Sequence, residues 1–154
     1  MEMVYVKDKG AAPASDDGGQ DEVPDFLLDR FALRVANTPN KTAFSFISAG
    51  KDAGEIAKSY TYSELDQRTS AVAGQLQKAG LKTEDRAVLV YPPSLEFMVA
   101  FLACLKIGVT AVPVFPPNPM KRDTLNMFSK ITESCDAKFA LTSSEYNHIK
   151  KIAD

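Results

Sequence analysis

Apolar residues crowd most densely between Arg86 and Phe115, where a stretch of helical length is interrupted only by Glu96 and Lys106. Residues 87–91 form a short apolar run, Pro92-Pro93 breaks it, 95–107 have helix length, Gly108 ends that helix, and 109–114 form a second, β-branched run. Strand, helix and strand in this order make a βαβ unit. Strands apolar on both faces belong to a parallel sheet covered by helices on each side, so the expected class is α/β with parallel-sheet βαβ layers flanked by helices. The helix between them has no polar face of any width, which predicts burial nearly all round. Ser94 is a fitting N-cap, Glu96 and Lys106 suit the two ends of the helix dipole, and Gly108 supplies a left-handed C-cap. A membrane span needs about 20 uninterrupted apolar residues, and Pro92, Pro93, Glu96, Lys106 and Gly108 break this stretch.

The pattern extends to both sides. Leu28, Phe31, Ala32 and Val35 form an i, i+3, i+4, i+7 stripe on a helix opened by Pro24 or Asp25 and stopped by Asn37-Thr38-Pro39-Asn40. Residues 42–47 and 58–62 alternate, with Phe44 and Phe46 on one face of the first and Tyr60 and Tyr62 on one face of the second, which predicts a hairpin. Ser63-Glu64-Leu65-Asp66 reads as a capping box that starts a helix at Glu64, with Leu65, Val72, Ala73 and Leu76 as its buried stripe. Gly74 is expected to admit a close neighbouring backbone, and Lys78, Gly80 and Leu81 to stop the helix. After the stiff Phe115-Pro116-Pro117-Asn118-Pro119 segment, Leu125, Phe128, Ile131 and Cys135 mark another helix, 138–142 a third strand, and Ser144 the cap of a last helix carrying Tyr146, Ile149 and Ile152. Because no capping glycine closes that helix, residues 23–154 are expected to be a partial α/β domain, and residues 1–22, poor in apolar side chains, a disordered leader.

Composition narrows the function by exclusion. A net charge of -2 without a basic stripe argues against a nucleic-acid partner, and no signal peptide opens the chain, so a cytoplasmic location is expected. Cys104 and Cys135 are expected to be structural thiols. Glu64 and Asp66, consecutive acids of a first helical turn, serve a cap and a dipole rather than paired acid–base catalysis. His148 has no acid and nucleophile placed to form a triad with it, no metal ligands recur at recognisable spacing, and no glycine-rich loop stands between a strand and a helix. The one suggestive place is the turn Tyr91-Pro92-Pro93-Ser94, where a strand's carboxyl end opens a helix; Tyr91 and Ser94 are candidate binding residues there, with Ser94 as a plain N-cap the simpler account.

Two segments carry a family resemblance. Thr61-Tyr62-Ser63-Glu64-Leu65 resembles the first core motif of the adenylate-forming enzymes, and Leu105-Lys106-Ile107-Gly108, leading to an apolar strand that contains Pro113, resembles the second. Ile107 departs from the Ala usual in that second motif, and Phe115 stands where amino-acid-activating members often have an acidic residue. The turn Tyr91-Pro92-Pro93 and the run Val112-Pro113-Val114-Phe115-Pro116-Pro117 are closest to fatty acyl-AMP ligases and fatty-acyl-CoA ligases. The resemblance implies the N-terminal part of the large domain of such an enzyme, with Thr61, Tyr62, Glu64, Leu65, Tyr91, Pro92, Pro93, Leu105, Lys106, Gly108 and Pro113 as structural motif residues and no catalytic residue. It implies ATP and magnesium as cofactors of the full-length enzyme and none for these residues. The implied partners are the rest of the enzyme's own chain, a fatty acid, and CoA or an acyl-carrier protein. A binding or regulatory module that keeps the same fold, and an independent flavodoxin-like domain with its ligand at the Tyr91 turn, remain as alternatives.

Overall fold

The computed structural model describes residues 26–47, 54–118, 120–144 and 146–147. The expected leader, the Pro24 or Asp25 helix start, and His148, Ile149 and Ile152 lie outside them. In chain order the elements are α1 (Leu27–Asn37), β1 (Thr42–Ile47), β2 (Ile56–Thr61), α2 (Tyr62–Lys78), β3 (Arg86–Val90), α3 (Leu95–Lys106), β4 (Thr110–Val114), α4 (Arg122–Ser134) and β5 (Phe139–Thr142). This is the α/β fold expected from the pattern.

The strands form an antiparallel hairpin, β1 with β2, and a parallel sheet in the order β4-β3-β5. Val88 pairs with Val112 on one side and Ala140 on the other, so β3 is the central strand, and its residues Ala87 to Val90 are all buried. The apolar run chosen for a strand covered on both faces therefore sits where both faces are covered. β4 differs from the expectation of two apolar faces, because Thr110 and Pro113 are exposed. Among the described strands it has one neighbour, and a proline that lacks an N–H is tolerated on such an edge.

Burial of α3 follows from its composition. Leu95, Val99 and Leu102 pack with Phe31, Tyr60 and Leu65 in one cluster, while Ala100, Ala103 and Cys104 pack with Ala73, Leu76, Leu81 and the central strand in another. Only Glu96 is exposed along its length. At about 1.5–3 kcal/mol for each fully buried large aliphatic side chain, this helix is a main source of stability on both sides of the domain. Ser94 caps it as expected, accepting from the Phe97 N–H at 3.3 Å. Gly108 has φ +69, and an added Cβ would stand 2.8 Å from Thr83 Cγ2, so both backbone and space exclude a side chain there.

Several local expectations are corrected. The capping box lies at Thr61 and Glu64, not at Ser63 and Asp66: the Glu64 N–H donates to the Thr61 hydroxyl at 3.2 Å, and the Glu64 carboxylate accepts from the Thr61 N–H at 2.9 Å. An N-cap must have extended backbone, which Thr61 inherits as the last residue of β2, whereas Ser63 already lies in the first turn and donates its N–H to Pro39 O. Gly74 admits no close neighbour, since a Cβ there would meet nothing within 4 Å. The contact face of α2 instead runs through Leu65, Thr69, Ala73 and Leu76, and the hydroxyl of buried Thr69 donates to Asp66 O. The helix stop holds: the Leu81 N–H reaches back to Leu76 O beyond Gly80 at φ +101. At the last described turn the cap is Ser143 rather than Ser144, accepting from the Tyr146 N–H at 3.2 Å. Leu125, expected on a buried stripe of α4, is exposed, and no described residue of α4 is buried. On α1, Ala32 of the expected stripe is exposed while Phe31 is buried.

Candidate functional site

Strand order places the cleft. β3 connects to β4 on one side through α3, and β4 returns through α4 to β5 on the other side of β3, so the connections reverse direction between β3 and β5. In open parallel sheets a crevice forms outside the carboxyl ends of the strands at such a reversal. A cleft of about 440 Å³ lies there, between the Tyr91 turn that leaves β3 and the Thr142-Ser143-Ser144 segment that leaves β5. The Thr142 hydroxyl donates to Val90 O at 2.7 Å and holds the two strand ends together beneath it.

Of the residues singled out in the sequence, Tyr91, Pro92 and Ser94 line this cleft. Burial is the main reason that the Tyr91 phenol is pushed up to about 12, with the Cys104 and Glu96 charges adding to it, so the group stays a protonated donor at neutral pH. Its ring meets Phe97 edge-on at 6.4 Å. The side wall comes from α2, where Arg68 and Val72 share a face, and from Tyr60 at the end of β2. The Arg68 guanidinium lies 4.6 Å from the Tyr60 ring centroid. Glu96, at the rim, is ion-paired with Lys58 at 2.7 Å, and the Lys58 hydrogen bond is the main cause that lowers its carboxyl below the usual glutamate value. The sequence placed none of Arg68, Glu96 and Ser143 at a site, and Glu96 served there only as a dipole residue of α3. Only the i, i+4 placement of Arg68 and Val72 on one helix face hinted at a shared surface.

The remaining motif residues lie elsewhere. Thr61 and Glu64 form the cap of α2, Tyr62 packs its ring 6.2 Å from Phe31, and Leu65 is fully buried. Lys106 crosses from α3 to α2, donating to Asp66 Oδ1 at 2.6 Å and Ser70 Oγ at 2.9 Å, with its ammonium 5.6 Å from the Phe31 ring centroid. Leu105 packs half-buried beside it. Lys106 of the second motif is thus clamped, across 40 residues of sequence, to Asp66 just after the first motif. Pro93 is exposed in the turn, Gly108 precedes β4 at the amino ends of the strands, and Pro113 is exposed on the edge strand.

The described residues gather neither a phosphate cradle nor a metal cluster. A triphosphate needs several backbone N–H groups converging on it. The described glycines Gly54, Gly74, Gly80 and Gly108 are isolated, and Gly80 and Gly108 precede β3 and β4, at the end of the sheet opposite the cleft. Among the described residues no group of three or more His, Cys, Asp or Glu is gathered for a metal ion. No helix among them is long and apolar enough to cross a membrane.

Residues 31–154 match the family described as AMP-binding enzyme. The chain is 35% identical over 132 residues to the medium-chain-fatty-acid acyl-carrier-protein ligase JamA of Moorena producens, an alignment that covers 83% of this chain and 22% of that protein. It is 30% identical over 102 residues to Disco-interacting protein 2 of Drosophila melanogaster, covering 66% of this chain and 6% of that one. Its fold superposes on the crystal structure of a fatty acid AMP ligase from Legionella pneumophila with a TM-score of 0.70 and 34% identity, covering 81% of this chain and 20% of the other. The chain spans about a fifth of the length of the ligases it matches.

Proposed function

Because this chain belongs to the AMP-binding enzyme family, we propose that residues 23–154 are the N-terminal α/β part of an ATP-dependent ligase that activates a fatty acid. In that reaction a carboxylate attacks the α-phosphate of ATP, pyrophosphate leaves, and the acyl-adenylate passes its acyl group to CoA or to a carrier-protein thiol. The observation that carries the reading is the 34% identity, at a TM-score of 0.70, to a fatty acid AMP ligase, together with the similar identity to a fatty-acid ligase of another organism. In the whole enzyme, ATP and magnesium would be held by residues beyond those described, and this part would supply the scaffold and one cleft. A cytosolic location belongs to the same proposal.

Fatty-acid-dependent exchange of labelled pyrophosphate into ATP tests it. The 154-residue chain alone is expected to show none, because catalysis of this kind depends on preorganised groups around the triphosphate that its described residues do not supply. The full-length protein is expected to show exchange that requires magnesium and a fatty acid. A second reading, a non-catalytic module with the same fold, is favoured by the similarity to a protein named for an interaction rather than a reaction. It replaces the first if the full-length protein binds ATP, folds normally and exchanges nothing.

A further inference from the structure

The carboxyl end of β4 runs into the Phe115-Pro116-Pro117 segment, and between that segment and α4 lies a groove of about 280 Å³. Thr124, Met127, Phe128 and Ile131 line it from the helix at i, i+3, i+4 and i+7, the stripe by which an amphipathic helix packs. Yet no described residue of α4 is buried, and Phe115 and Met127 are 70% and 59% exposed. A helix of 13 residues without a side-chain N-cap is marginal by itself, because most helical stability comes from covering such a stripe. Two polar groups of the lining are already engaged: the Thr124 hydroxyl donates to Lys121 O at 2.8 Å, and Asn118 Oδ1 accepts from the Met120 N–H at 2.9 Å. The volume falls short of the usual small-molecule range, roughly 300–1,000 Å³, and exposed apolar side chains on one surface mark a place for another polypeptide. The other wall is stiff. Pro116 and Pro117 restrict the backbone there, and the Tyr146 hydroxyl donates to Pro117 O at 2.5 Å, so this wall loses little freedom when it is covered.

We propose that this groove seats the polypeptide that follows residue 154 in the parent ligase, whose apolar side chains cover Phe115, Met127 and Phe128. Two observations choose this occupant. The chain spans about a fifth of the ligases it matches, so most of such an enzyme lies outside these residues. The Tyr146 bond to Pro117 also brings the chain beyond β5 alongside the groove wall, so the polypeptide that continues from it passes next to the exposed stripe. The inference rests on the reading of these residues as part of a larger ligase. It concerns a different surface from the cleft at the β3–β5 reversal, with which the groove shares no lining residue.

The test is thiol labelling of the folded full-length protein carrying Cys135→Ser and one added cysteine, either Met127→Cys on the groove or Asn126→Cys, its exposed neighbour off the groove. Cys104 is buried and does not compete for the reagent. Residue 127 is expected to react about tenfold or more slowly than residue 126 in the full-length protein, and at a similar rate in the 154-residue chain. Equal rates in the folded full-length protein overturn the proposal. Protection of residue 127 in the 154-residue chain overturns it as well: if lost on dilution it assigns the groove to a second copy, and if independent of concentration, to the chain's own remaining residues. Should a cysteine variant fail to fold, amide hydrogen exchange of the wild-type full-length protein gives the same reading. Exchange over Arg122–Ser134 as slow as over Leu95–Lys106 supports a covered α4, and exchange about tenfold or more faster overturns it. Pyrophosphate exchange separates the two proposals. A full-length protein that exchanges nothing yet shields residue 127 loses the activity and keeps the covered groove, and an active one that leaves residue 127 open does the reverse.

Discussion

Lys106 illustrates how a single side chain acquires a role from its surroundings. In the last turn of α3 a cation is favourable toward the helix dipole alone, worth a few tenths of a kcal/mol. Here its ammonium also reaches Asp66 Oδ1 and Ser70 Oγ on α2, and the pair is only partly open to water. Removing it leaves a carboxylate whose partner is gone. Lys106→Ala is therefore expected to cost about 1–3 kcal/mol, more than an exposed ion pair contributes. A urea midpoint shift with unchanged slope measures it, and a loss below about 0.5 kcal/mol would reduce the clamp to a surface contact. The Lys58–Glu96 pair is the contrasting case, about half exposed on both sides. The folded Glu96 carboxyl lies below its unfolded value, chiefly through the Lys58 hydrogen bond. Its contribution is thus present above about pH 4.3 and is lost as pH falls through the folded value. Glu96→Gln should flatten the acid limb of a stability-against-pH curve, and an unchanged limb would mean that the pair adds nothing.

Among the elements, α3 carries the largest consequence. Leu102 is buried against the hairpin side of the domain and its neighbour Ala103 against the sheet side. Leu102→Asp places a charge inside an apolar cluster, at several kcal/mol against a total stability of about 5–15, and is expected to abolish folding. Leu102→Ala should be milder, costing about 2–5 kcal/mol from lost transfer energy and the cavity left behind. Soluble Leu102→Asp protein with a cooperative melt would refute the burial. The corrected cap of α2 follows the same logic at the element's end. Ser63 is by type the better capping residue, yet Thr61 takes the cap, because that choice was made by where β2 ends.

At the scale of the molecule, the two packing clusters share α3 and are flanked alike by Val72 of α2. Hairpin and sheet should therefore melt together although they are separate sheets. Leu65→Ala, a change confined to the hairpin-side cluster, is expected to lower a single transition followed by far-ultraviolet dichroism and by tyrosine absorbance alike. Two resolved transitions would show that the clusters are independent.

The sequence by itself determined the element types, the central βαβ unit and the all-round burial of α3, because period, length and terminal glycine or serine are local signals that agree with the global packing. It also determined the family, since the Thr61–Leu65 and Leu105–Pro113 segments are legible as strings. Tertiary structure alone decided what those strings do physically. The charge on Lys106 looked like a dipole residue until α2 was laid across α3, and the Tyr91 turn was one candidate wall without a second. Arg68, Glu96 and Ser143 reach the cleft from α2, the start of α3 and the end of β5, so no spacing along the chain announces them. The edge position of β4 among the described strands and the exposure of α4 among the described residues were hidden for a related reason: an apolar pattern records a preference for burial, and whether a neighbour is there to satisfy it is a property of the whole arrangement.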